Sequence, residues 1–170
     1  MNGPHTISAA AASIFGLTLL AGGALGAGAI NVKDKGEIEG KPAEVWARVG
    51  GVCAIKDWHP AIAGCEVTKE GGDDYRTLTT KDGAKIKEKI IAAGKESYSY
   101  EIVESPLPVK NYTATFSMKP DDDDDNEVQI HWTASFDSAD GKSAKDAEDV
   151  IEKIFSEGIR GIESMFKGKK

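Results

Sequence analysis

Residues 128–136 read VQIHWTASF, and the apolar side chains fall on even numbers: Val128, Ile130, Trp132, Ala134 and Phe136. The odd positions Gln129, His131, Thr133 and Ser135 are polar or small. Side chains along a strand point alternately to its two faces, so this segment is a strand with one apolar and one wet face. The same parity runs back through Leu78, then Ile86 and Ile90, then Tyr98, Tyr100 and Ile102, then Tyr112, Ala114, Phe116 and Met118. Turn-forming clusters separate these runs at Gly71-Gly72-Asp73-Asp74, Lys81-Asp82-Gly83, Ala93-Gly94, Ser105-Pro106-Leu107-Pro108 and the acidic stretch Asp121 to Asn126. Cys65 to Asp137 therefore reads as an antiparallel meander whose even face needs a cover.

The cover follows directly. From Ser143 onward, Ala147, Val150, Ile151, Ile154, Phe155, Gly158, Ile159, Ile162, Met165 and Phe166 recur at helical spacing. Ser143 suits the cap of that helix, and Asp146 and Glu148 suit the positive end of its dipole. Upstream, INVKDKGEIEG (30–40) carries a modest strand signal. Pro42 opens a short helix with Val45, Trp46 and Val49 on one stripe, and Gly50-Gly51 stops it. VCAIKDWHP (52–60) makes a second brief helix, limited by Pro60. The order is strand, two short helices, about six strands, one long helix. That is an α+β domain in which a curved antiparallel sheet of about seven strands is covered on its apolar face by the C-terminal helix.

The chain has 170 residues, a size for one domain. Residues 7–29 carry no charge, and Ile14 to Leu20 is too short and glycine-broken to span a bilayer comfortably. Residues 1–29 are therefore expected to be a secretory signal, cut after Ala27-Gly28-Ala29, with residues 30–170 as the mature domain in the periplasm or secreted. His5 is the only candidate positive charge before the apolar run, so an uncleaved anchor is the alternative, and membrane contact would come through that segment alone. In an oxidising compartment Cys53 and Cys65 either pair or stay as two thiols; spacing does not choose. The net charge of −7, with no basic cluster interleaved with aromatics, argues against nucleic acid as a partner.

Little in the chain suggests catalysis or a metal. His59, His131, Cys53 and Cys65 are the soft donors after residue 29, too few to converge once His131 points to the wet face. No metal or cofactor is expected. A Cys65–His59 nucleophile pair lacks an identifiable orienting residue. The run PDDDDDN (120–126) lacks the ligand spacing of a calcium loop and reads as a solvated hairpin tip. Arg76 and Glu88 are more informative, because both fall on the inward face. A three-residue turn at Lys81-Asp82-Gly83, with Gly83 at positive φ, pairs Thr80 with Ala84 and sets Arg76 opposite Glu88. The two then sit in apolar surroundings, where they form a structural ion pair or one of them receives a ligand group. Gly158 and Gly161 each cost the long helix about 1 kcal/mol relative to Ala, and either leave room for a ligand or let the helix approach the sheet.

The stretches VWARVGGVCAIKDWHPAIAGCEV (45–67), YRTLTTKDG (75–83), SYSYEIVESPLPVKNYTATFSM (97–118) and VQIHWTASF resemble the successive signatures of bacterial SRPBCC proteins of the START-like superfamily. That superfamily has the helix-grip fold of the pollen allergen Bet v 1 and includes polyketide cyclase/dehydrase and lipid-transport proteins. The resemblance covers residues 30–167. SPLPVKNY (105–112) and the leader are similar to the exported MxaD-type subgroup, which is associated with methanol oxidation. The resemblance implies a cavity between long helix and sheet that binds a hydrophobic or amphipathic small molecule. It places Trp58 and Pro60 at the cavity rim, with His59 facing solvent or ligand. The residues expected to contact ligand are Trp58, Arg76, Leu78, Glu88, Tyr98, Tyr100, Tyr112, Trp132, Phe155, Gly158 and Ile162. An accessory role beside a periplasmic redox enzyme such as methanol dehydrogenase is the alternative. A cyclase-like enzyme ranks last, because no nucleophile, base and orienter can be assembled.

Overall fold

The computed structural model describes residues 29–168; the expected signal segment lies outside them except for its last residue, Ala29. The elements are β1 (Ile30–Glu39), α1 (Pro42–Val49), α2 (Ile55–Trp58), β2 (Ile62–Glu70), β3 (Asp73–Thr80), β4 (Lys85–Ala93), β5 (Ser97–Glu104), β6 (Val109–Pro120), β7 (Glu127–Ser138) and α3 (Ala144–Phe166). All strand pairs are antiparallel, in the order β1-β7-β6-β5-β4-β3-β2. The first strand thus lies at one edge, beside the last, and α1 and α2 carry the chain to the opposite edge. This is the helix-grip arrangement read from the sequence. One boundary moves: β2 begins at Ile62 rather than Cys65, because Ile62 already pairs with Thr80 before an irregularity at Gly64.

Parity holds where it matters most. Val128, Ile130, Trp132, Ala134 and Phe136 are all buried, as are Tyr112, Ala114, Phe116 and Met118 on the neighbouring strand. It breaks at one instructive place. Between Lys110↔Asp137 and Thr113↔Ser135, β6 carries one residue more than β7, and Asn111 takes φ 53°. The Asn111 amide donates to Asp137 at 2.8 Å. The extra residue turns the strand by one position, so that odd-numbered Val109 and even-numbered Tyr112 share the inner face. Further irregularities at Lys87/Glu88 and Ile90/Ala92 bend the middle of the sheet.

The helix grips the sheet through aromatic stacking. Trp132 of β7 stacks on Phe155 of α3 with ring centroids 4.2 Å apart and planes at 13°. Trp58, at the end of α2, stacks on Phe116 at 5.4 Å and meets the edge of Trp132 at 5.6 Å. Its indole N–H donates to the Val49 carbonyl at 3.3 Å. Ser143 caps α3, its hydroxyl accepting the Asp146 N–H at 3.0 Å. The open question about the helix glycines resolves toward close approach. A Cβ at Gly158 would lie 2.7 Å from Trp132 and 2.9 Å from His59, and one at Gly161 would collide with the Trp58 carbonyl. Neither glycine leaves space for a ligand.

Cys53, in the turn before α2, is disulfide-bonded to Cys65 of β2, with Cα atoms 5.5 Å apart. The bond ties the two short helices to the edge strand they precede.

Gly161→Ala should therefore reverse the usual rule. In an open helix the change gains about 1 kcal/mol; here overpacking against Trp58 should destabilise by about 1–3 kcal/mol. Urea unfolding of both proteins reads the sign directly.

Candidate functional site

A cavity of about 370 Å³ opens between the N-terminal half of α3 and the strands β3 to β5. Its size lies within the range of roughly 300–1,000 Å³ typical of small-molecule sites. Ile55, Ile62, Leu78, Ile86, Ile102 and the α3 residues Ile151 and Ile154 make most of it apolar. Thr80, Lys81, Asp82 and Ala84 of the β3–β4 turn and Pro106-Leu107 of the β5–β6 loop stand at its mouth. The turn has the expected form: Gly83 sits at φ 89°, and Thr80 N–H donates to the Ala84 carbonyl at 3.0 Å. That register puts Arg76 opposite Glu88.

The pair is sealed in the protein. Arg76 is fully buried and Glu88 is 4% exposed. Arg76 donates from Nε to Glu88 Oε2 and from Nη1 to the Val52 carbonyl, and also from Nη1 to the Tyr98 hydroxyl at 3.2 Å. Its Cζ lies 4.6 Å from the Tyr100 ring centroid and 5.2 Å from that of Tyr98, which gives the charge two π partners. Nη2 has no hydrogen-bond partner. Burial works against the Arg76 charge, but Glu88 and the two tyrosines outweigh it and the guanidinium stays protonated. Burial pushes the Glu88 carboxyl above the usual carboxylate range, and Arg76 opposes that push. Glu88 reaches the cavity wall; Arg76, behind it, does not.

Two tyrosines complete the polar end. Tyr100 and Tyr112 both line the cavity, with ring centroids 6.2 Å apart. The Tyr100 hydroxyl accepts the Trp132 indole N–H at 2.9 Å. Burial lifts both phenols well above their ordinary value, so they stay protonated.

Of the residues expected from sequence to contact ligand, Leu78, Glu88, Tyr100, Tyr112 and Trp132 are on the wall. Trp58, Arg76, Tyr98, Phe155, Gly158 and Ile162 are buried in the packed interior beside it and not on its wall. The reason is the Trp132–Phe155 stack: it closes the helix against the sheet from its middle onward, so the hollow remains on the N-terminal side, beside Ile151 and Ile154. Trp58 belongs to that seal and not to a rim. Parity and the helical stripe already marked Ile86, Ile102, Ile151 and Ile154 as inward, but only the packing decides which inward residues face a space. Pro106 and Leu107 carry no periodic signal.

His59 also lines the cavity and is 3% exposed, so it faces the interior and not solvent. The Ala61 N–H donates to Nδ1 at 3.1 Å, and Nε2 lies 2.9 Å from the Ile154 carbonyl. A carbonyl only accepts, so the proton is on Nε2 and the neutral ring bridges the α2–β2 joint to α3. Burial lowers its pKa, with the Ile154 bond and Glu157 working upward and Lys153 downward. With Cys65 in a disulfide and both ring nitrogens engaged, no Cys–His nucleophile exists here. Among the described residues, no group of three or more His, Cys, Asp or Glu is placed to hold a metal. His131 pairs across the outer part of the sheet with Lys35 and Ser117, away from the cavity.

The family model for polyketide cyclase / dehydrase and lipid transport matches residues 29–166. The chain belongs to that family. It is similar to the protein XoxI from Bacillus cereus, at 29% identity over 81% of this chain and 96% of that one, with a TM-score of 0.75. The Zhui aromatase/cyclase from Streptomyces sp. R1128 shares the fold at 13% identity, TM-score 0.66, over 82% of this chain and 94% of that one. So does a START superfamily protein from Mycobacterium smegmatis, at 10% identity, TM-score 0.69, over 82% and 99%. No curated protein matches the chain. These two neighbours, at 13% and 10% identity, share the fold of a curved antiparallel sheet gripping a long C-terminal helix.

Glu88→Gln should destabilise the fold by about 3–5 kcal/mol by leaving Arg76 buried without its counter-charge, whereas Arg76→Met combined with Glu88→Leu should recover most of that loss. Chemical unfolding of the single and double variants tests both. His59 yields a prediction of defined sign. Its folded-state pKa is lowered, so the unfolded chain binds the proton more readily, and stability present above the ordinary value of 6.5 is lost as pH falls below it. His59→Gln should flatten that part of the stability–pH curve relative to the parent.

Proposed function

We propose that the protein is an exported, non-enzymatic binder of a small hydrophobic or amphipathic molecule, held between α3 and β3–β5. The observation that carries this reading is the apolar hollow with a single polar end, in a family described by polyketide cyclase / dehydrase and lipid transport. Leu78, Glu88, Tyr100, Tyr112 and Trp132 would contact the ligand, with Ile86, Ile151 and Ile154 supplying further apolar surface. Export is supported by the uncharged apolar leader and by the Cys53–Cys65 disulfide, which persists in oxidising compartments. An acid–base enzyme draws less support, because Glu88 is committed to Arg76 and His59 to two backbone groups.

A second reading makes the protein an accessory of a periplasmic redox enzyme. The likeness to XoxI favours it, as does the exposed acidic tip at Asp122–Asp125, which suits electrostatic steering of a basic partner.

Native mass spectrometry after exposure to a lipid extract tests the first reading. A ligand adduct is expected on the parent protein and should disappear in Leu78→Trp, which fills the hollow while far-UV circular dichroism stays unchanged. No adduct on the parent, together with recovery of a periplasmic dehydrogenase in a pull-down, would favour the accessory role.

A further inference from the structure

We infer that the cavity selects a neutral, hydroxyl-bearing apolar molecule and rejects both the carboxylate and the ammonium form of an equivalent chain. The inference rests on the reading of this hollow as a ligand site and adds the chemistry of the headgroup.

Charge at the polar end is already balanced. Among the described residues Glu88 is the one acidic side chain on the buried part of the wall, and it leaves one oxygen unbonded. Its Oε2 takes the Arg76 Nε–H, while Oε1 receives no hydrogen bond from the described residues and is not sealed from the hollow. A group with a proton to give is therefore the natural partner of Oε1. The other polar atoms nearby are neutral: the Tyr100 and Tyr112 hydroxyls, and a His59 ring whose two nitrogens are engaged.

Each charged headgroup fails on a different count. A ligand carboxylate would bring a second negative charge beside Glu88, and two carboxylates sharing one site do not both stay ionised. Arg76 is poorly placed to rescue it: Glu88, Val52 and Tyr98 occupy Nε and Nη1, the unpartnered Nη2 is sealed from the hollow, and the guanidinium lies off the cavity wall behind Glu88. A ligand ammonium could bond Oε1, but Arg76 already neutralises that carboxylate, so the added charge would be buried without a counter-ion. Lys81 and Asp82 are exposed at the mouth and do not serve the interior. A hydroxyl adds no charge and donates to Oε1. An apolar body then covers Leu78, Ile86 and Ile154, and the wall favours an alcohol or phenol over a fatty acid or fatty amine.

The test uses one chain length with four headgroups: decanol, methyl nonyl ether, decylamine and decanoate, titrated at neutral pH into the protein. Trp132 on the wall gives an intrinsic fluorescence signal, and calorimetry checks it. Decanol should bind at least about tenfold more tightly than each of the other three, in line with a hydrogen bond to a charged acceptor. In Glu88→Gln the order should shift toward decanoate, because the like charge that excluded it is gone. If that variant does not fold, the parent series decides alone. Equal binding of all four, or tighter binding of decanoate or decylamine, overturns the headgroup inference while the hydrophobic-binder reading stands. Failure of all four to bind overturns both.

Discussion

The stack of Trp132 on Phe155 is the contact on which the remaining architecture depends. Three elements meet there: the β6–β7 pair of strands, the long helix, and the end of α2 through Trp58. Aromatic pairs in offset contact add about 0.5–1.5 kcal/mol beyond the area they bury. More consequential is their position. Gly158, bare against Trp132, His59 and Trp58, lets α3 descend until the rings touch. A helix held that low at its middle stands off a curved sheet toward its beginning, and the hollow beneath Ile151 and Ile154 is the space left over.

Polar groups within that space follow an economy of the same kind. Burying an arginine and a glutamate is unfavourable unless each finds partners. Arg76 finds several, including a backbone carbonyl from the loop before α2. The short-helix segment is thus tied to the sheet both by this bond and by the disulfide twelve residues apart in sequence. Glu88 finds only one partner for its two oxygens among the described residues, and the shortfall faces the hollow. His59 shows the opposite case, a titratable ring in the same wall with both nitrogens satisfied by backbone.

Much of the fold was legible because strand parity is a strict rule. The even positions of β6 and β7 decided which face was apolar, and the helical stripe after Ser143 supplied its cover. The Arg76–Glu88 register was legible too, since a turn of known length with Gly83 at its third position leaves no freedom in pairing. What parity could not give was the odd-numbered Val109, turned inward by a bulge at Asn111, a residue whose left-handed backbone is tolerated by its short amide side chain. Periodicity also sorted inward from outward without distinguishing core from cavity. Phe155 and Ile154 are adjacent on the same helix, yet one seals the interior and the other borders its vacancy. Close approach at Gly158 and Gly161 separates them, and a glycine in a sequence signals equally a gap or a contact. The direction of His59 was closed to sequence reasoning for a related reason: its partners are main-chain atoms, which leave no compositional trace.

The edge position of β1 carries a consequence for how the domain comes into being. Ile30 lies against Phe136 and Val32 against Ala134, so the earliest strand to be synthesised finds its partner only after about a hundred further residues exist. Until β7 has been made, β1 has no hydrogen-bonded neighbour, and the groove that receives α3 lacks one of its walls. Among the described strand pairs, β1 with β7 closes by far the longest loop, so this edge carries the largest single share of loop-closure entropy that the fold must offset.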